Sequence, residues 1–147
     1  MAGNVTGFQR PFTFRANETY KTVGVDQAVK YVEGSPREVE VPEQDNLPCV
    51  GVVTYQYEDR DGSTVAVQLD RIAEIEAAGN IAFGEDVIVA AGGKAKGVSS
   101  LSEGDVAYVL GEAQNSAVAG QKVQVLIRPK VYTKGAEAGG NGDGGTP

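Results

Sequence analysis

The chain has 147 residues with a formal net charge of −7, and it contains 20 glycines, one cysteine, no histidine and no tryptophan. The acidic balance argues against nucleic acid and anionic membrane surfaces, which call for clustered Lys and Arg. The lack of histidine removes Ser-His-Asp and Cys-His catalysis and ordinary zinc sites.

The length suits one domain with a sizeable core, and many glycines among scattered valines point to short strands and tight turns. The single cysteine, Cys49, has no intramolecular disulfide partner. Its neighbours Leu47, Pro48 and Val50 predict a buried free thiol. No apolar run approaches the ~18 residues of a membrane helix. The opening residues lack the apolar centre of a signal peptide, so synthesis in a reducing cytoplasm is expected.

In chain order, residues 1–20 read as an extended arm. Phe8, Phe12 and Phe14 are interleaved with Arg10 and Arg15, a mixture that interfaces favour. Two readings stand: a first strand packed on its own core, or an arm whose aromatics dock on a neighbouring subunit. The β domain is expected over residues 21–133. Thr22–Val25 and Ala28–Val32 read as one interrupted strand. Arg37–Val41 alternates charge with valine, as an exposed edge strand would. Cys49–Tyr57 is a strand with Val53, Tyr55 and Tyr57 on one face. Glu58–Ser63 is a hairpin tip, where Asp61-Gly62 supplies the turn. Thr64–Leu69 returns with Val65, Val67 and Leu69 together. Asp70–Gly79 has two readings: Leu69, Ile72, Ala73 and Glu76 have helical spacing, while Ala73 and Ile75 continue a strand past a bulge at Arg71, and the strand is favoured because a short helix gains little on its own.

Ile81–Ala91 reads as a further strand and Gly92–Gly97 as a turn. Gly104–Arg128 has the pattern of a long-looped hairpin. Val106, Tyr108 and Leu110 alternate in its first arm, and Val123, Val125 and Ile127 in its second. Residues 134–147 are a glycine-rich stretch with nothing large to bury, which predicts a flexible tail.

The two halves, about 21–75 and 81–133, repeat. Gly24-Val25-Asp26 aligns with Gly84-Glu85-Asp86, and Gly51 with Gly111, sixty residues apart. Val65–Leu69 aligns with Val123–Ile127. We read two copies of one β-unit closing on each other into a compact β-barrel or sandwich-like domain, with no exposed edges.

No constellation for chemistry emerges, so no enzyme, cofactor or metal site is expected. Asp59-Arg60-Asp61-Gly62 lacks the distal ligands of a calcium loop. Gly92-Gly93-Lys94 has the wrong spacing for a phosphate loop.

The segments Gly84-Glu85-Asp86-Val87, Val109-Leu110-Gly111-Glu112-Ala113 and Ala119–Ile127 resemble the capsid cement (decoration) proteins of tailed bacteriophages. The likeness covers Gly24–Arg128. The chain departs from that family in Glu85 before Asp86, in a longer Glu58–Ser63 loop and in a Phe-rich arm. The resemblance implies a non-catalytic virion protein on the outer capsid surface, made in the host cytoplasm. Its partners would be the major capsid protein and two further copies in a homo-trimer, with no nucleic acid or membrane. Phe8, Arg10, Phe12, Phe14 and Arg15 would then be capsid or subunit contacts. The alternatives are another virion or surface module (tail, fibre or adhesion domain) and a lipoyl-like carrier presenting Lys94.

Overall fold

The computed structural model describes residues 12–16, 24–56 and 64–135. The expected tail beyond Gly135, the Glu58–Ser63 tip and the strand start at Thr22-Val23 lie outside these residues. Among the described residues ten strands form two five-stranded sheets. In the first, β1 (Phe12–Ala16), β2 (Ala28–Val32), β3 (Ser35–Glu40), β4 (Gly51–Gln56) and β5 (Thr64–Gln68) close into a barrel ordered β1-β3-β2-β4-β5. In the second, β6 (Ile72–Glu76), β7 (Asp86–Ala90), β8 (Lys94–Gly97), β9 (Val106–Ala113) and β10 (Lys122–Thr133) run in the order β6-β10-β9-β7-β8.

Read from the hairpin outward, the two orders are the same: β3-β2-β4-β5-β1 and β8-β7-β9-β10-β6. The last strand of each lies antiparallel to its neighbour, β1 on β5 and β6 on β10. Each also meets the first strand in parallel. β1 pairs with β3 through Arg15↔Glu38, and Ala77, one residue past β6, bridges to Ala95 of β8. The sequence repeat is therefore a repeat of a whole five-stranded unit. The two halves do not share one sheet: the first closes on itself as a barrel, and the second is a five-stranded sheet whose end strands meet at the Ala77–Ala95 bridge. The completing strand precedes its hairpin in the chain, so Ile72–Glu76 belongs to the second unit and not to a half ending at residue 75.

The two aligned glycines mark one structural position. A Cβ on Gly51 of β4 would strike the carbonyl oxygen of Gln68 in β5, and a Cβ on Gly111 of β9 would strike that of Leu126 in β10. Each sheet lets its two backbones approach there because no side chain intervenes.

Other expectations also need correction. β3 is no edge: it lies between β1 and β2, and Val39 is fully buried. Gly92–Gly97 is not all turn, since Lys94–Gly97 pairs with β7 as β8. Only Asp86–Ala90 of the expected Ile81–Ala91 strand is strand, and Ile81 instead bridges Ala117. A register shift between Val53 and Tyr55 turns Tyr55 outward, away from the face of Val53. The strand expected past Arg71 is present as β6, with Ala73 and Ile75 buried and Arg71 left-handed at φ 65°.

The interiors differ in size. Val29, Val39, Val53, Val65 and Val67 fill the first barrel. The larger core lies inside the second sheet, around Ile75, Val87, Leu110 and Val125, and Ala28 and Val52 of the first sheet's outer face join it. β7 reads as an unbroken apolar run because both its faces are covered. Val87 and Val89 face the large core, and Ile88 packs outward beneath Val98, Leu101 and Tyr132.

The two units are held together by backbone. The β3–β4 loop reaches across: the Asn46 amide donates to the Val89 carbonyl (2.7 Å) and that of Gly92 to Pro42 (2.9 Å). The Ala28 amide donates to the Gly93 carbonyl (2.8 Å). Gly93 has φ +85°, and a Cβ there would sit 2.7 Å from the Ala28 carbonyl oxygen.

Gly51→Ala and Gly111→Ala should each destabilise the fold by about 2 kcal/mol or more, since neighbouring backbone must move. Gly79→Ala, where a Cβ meets nothing within 4 Å, should stay within about 0.5 kcal/mol of the parent. Urea unfolding of the three variants checks this.

Candidate interaction surface

Of the five contact candidates, Phe8 and Arg10 lie outside the described residues. Phe12, Phe14 and Arg15 lie in β1, opposite Val67, Val65 and Thr64 of β5. The backbone of this stretch thus pairs within its own sheet, between β3 and β5.

A surface that the sequence reading missed lies on the second unit. Between the start of β7 and the β9–β10 connection runs an open groove of about 470 Å³, whose walls include Ile81, Ala82, Glu85, Ser99, Ala117 and Val118. At its rim Phe83 is 71% exposed, the most exposed large apolar side chain described, and Val118 is 50% exposed. The backbone beneath is fixed. Ile81 and Ala117 exchange both amide–carbonyl bonds (2.8 and 2.9 Å), the Phe83 amide donates to Ser116 Oγ (3.1 Å), and that of Gly84 to the Ala113 carbonyl (2.8 Å). A rigid turn that holds an aromatic in water has the form of an interface anchor. The signal was present in Asn80-Ile81-Ala82-Phe83-Gly84: a large aromatic directly before a glycine turn has no strand face to occupy.

Glu85 pins this turn. Its Oε1 accepts from the Ala82 amide (3.0 Å) and its Oε2 from the Ser99 amide (2.9 Å). Partial burial pushes its carboxyl up, but these donors and the charge of Lys134 outweigh burial and leave it below the usual carboxylate range. Gly97 makes room for that carboxylate, because a Cβ there would collide with it. Asp45 is also depressed, by the Lys96 ammonium at 2.7 Å and the Ala91 amide at 2.9 Å.

Burial pushes the Cys49 thiol up to about 12, and the side chain packs against the large core. Tyr132 is raised to about 12 by burial and by donating to Asp86 Oδ2 (2.7 Å). Among the described residues no group of three or more Cys, Asp or Glu side chains is placed to hold a metal ion.

Two outcomes follow from these groups. Folded-state pKa values below the unfolded ones stabilise the fold above the ordinary carboxylate range, and that stability is lost as pH falls. Urea midpoints should therefore drop between pH 6 and pH 3, and Glu85→Gln should flatten that drop. Cys49 should react with a thiol reagent at pH 8 at least ~100-fold more slowly in the folded chain than in urea, because a thiol near 12 holds almost no thiolate.

No family model matches the chain, and no curated protein matches it. Among solved structures it is similar to the crystal structure of the head fiber gp8.5 N base in bacteriophage phi29, with a TM-score of 0.57 and 22% identity, over 80% of this chain and 92% of that one. This likeness establishes that the fold occurs in another protein.

Proposed function

We propose that the chain is a structural protein of a tailed-phage virion, seated on the outside of the head. One observation carries the reading: the two-unit fold is shared, over most of both chains, with the base of a head fibre. The sequence resemblance to capsid cement proteins points to the same surface independently. On this reading the scaffold performs no chemistry, and Phe83 and Val118 anchor the chain to the major capsid protein. Trimerisation would let modest contacts sum through effective concentration.

The neighbour favours a second reading on the same surface, in which the chain is the seat of a projecting fibre and not a clamp between capsid subunits. The two differ in what binding does to the shell. Purified chain should co-sediment with expanded, emptied heads, and Phe83→Ser should weaken that binding about 10-fold or more while leaving thermal unfolding nearly unchanged. A cement protein should raise the temperature at which heads rupture, whereas a fibre base should bind without raising it. Failure to bind heads at any stage of maturation would contradict both.

A further inference from the structure

The strands β9 and β10 extend past their sheet as a two-stranded ribbon. β6 pairs with β10 only over Lys122–Leu126, while β9 accompanies it to Thr133. From Arg128 to Thr133, β10 therefore has a neighbour on one side. The ladder fixes which groups are left over. The Lys134 amide donates to the Asp105 carbonyl (2.8 Å), so in antiparallel alternation Tyr132 and Lys130 bond towards β9. Val131 and Thr133 then point N–H and C=O away from it.

The opposite edge of the same ribbon is treated differently. The Asn46 amide group clasps β9 as a strand would: its Nδ2 donates to the Val106 carbonyl (2.7 Å), and its Oδ1 accepts from the Tyr108 amide (3.0 Å). Proteins usually cover or charge such edges. Among the described residues one edge is covered by a loop; the other begins with a register break at Arg128 and Pro129 and then leaves Val131 and Thr133 without a strand neighbour on the outer side.

Three further features meet at the open edge. An apolar recess of about 180 Å³, lined by Pro48, Cys49, Tyr108, Pro129 and Val131 among others, lies beside it. Val131 is 62% exposed, and Ile72, where β6 begins, is 51% exposed. Two arginines bracket the start of the edge: Arg128 lies on it, and the Arg71 carbonyl accepts from the Ile127 amide (2.8 Å). Lys30, Lys94, Lys96, Lys122 and Lys130 each meet a carboxylate. Among the described residues none meets Arg71 or Arg128, in a chain of net charge −7.

We propose that the Arg128–Thr133 edge of β10 accepts an extended acidic segment of a partner protein as an added strand. Backbone bonds to Val131 and Thr133 supply affinity. A small apolar side chain enters the recess, and a carboxylate pairs with Arg71 and Arg128, which matches acid over base. This inference does not depend on the head-surface reading.

The test uses the full chain, ¹⁵N-labelled, with two soluble synthetic peptides of alternating sequence, one glutamate–valine and one lysine–valine. At low salt the glutamate peptide should shift the Val131 and Thr133 amide resonances in a saturable way. Joint Arg71→Ala and Arg128→Ala should weaken binding about 10-fold or more. Val131→Pro removes an outward-facing N–H and none that bonds β9, while also fixing φ at that position; it should abolish binding while Tyr132 and Lys134 amides stay protected from exchange. If that variant unfolds, the arginine pair decides alone. Equal binding of both peptides, or no effect of the arginine pair, would overturn the proposal. So would shifts of Val131 and Thr133 that follow protein concentration alone, since a second copy would then fill the edge. So would shifts produced by deleting residues 1–11, since the chain's own N-terminal segment would then be the occupant.

Discussion

The loop between β3 and β4 holds this molecule together. Asp45 and Asn46 lie at its tip, and between them they bond to Val89, Ala91, Lys96, Val106 and Tyr108 of the second unit. Asn46 does so from a left-handed backbone at φ 65°, a conformation Asn tolerates better than most residues. Among the described residues the first barrel's interior holds Val29, Val39, Val53, Val65 and Val67, with Val41 and Leu69 packed against them. Lending Ala28 and Val52 to the larger core makes the two units one body.

Duplication explains much of the rest. The same unit is used twice, but its outer face has two fates. On the first unit that face is covered by the second. On the second unit, Ile88, Ala107 and Val109 are covered by the chain's own Val98, Leu101 and Tyr132. Within the described residues the second unit thus caps its own outer face with segments of its own chain. Lys134 ties the cap down by donating to the Leu101 carbonyl (2.7 Å) and the Val98 carbonyl (3.3 Å).

The all-β class and the repeat were legible in the sequence because both depend on local signals. Valines alternate where one face is buried, and Gly51 and Gly111 recur where backbone meets backbone. The strand Ile72–Glu76 was legible for the same reason. Closure was not legible, since pairing of β1 with β5 or β6 with β10 joins segments some fifty residues apart. Arg37–Val41 alternates as an edge would, yet β1 covers it. Lys94–Gly97 contains two lysines and a glycine and still forms a strand, because β7 offers it a complete ladder. The candidate surface was the least legible part. Phe83 stands out only once Ile81 and Ala117 are seen to lock the turn beneath it, and the open edge of β10 appears only when β6 is seen to stop at Leu126.

These features describe a rigid, acidic β-scaffold that presents anchors on its surface and has its chemistry-bearing groups engaged in structure. The most direct test is electron cryomicroscopy of virions from a phage encoding this chain, compared with particles assembled without it. The account predicts difference density of the two-sheet body on the outer face of the head shell, with the Phe83 turn towards the capsid. Difference density confined to the tail, or none on the particle, would contradict it.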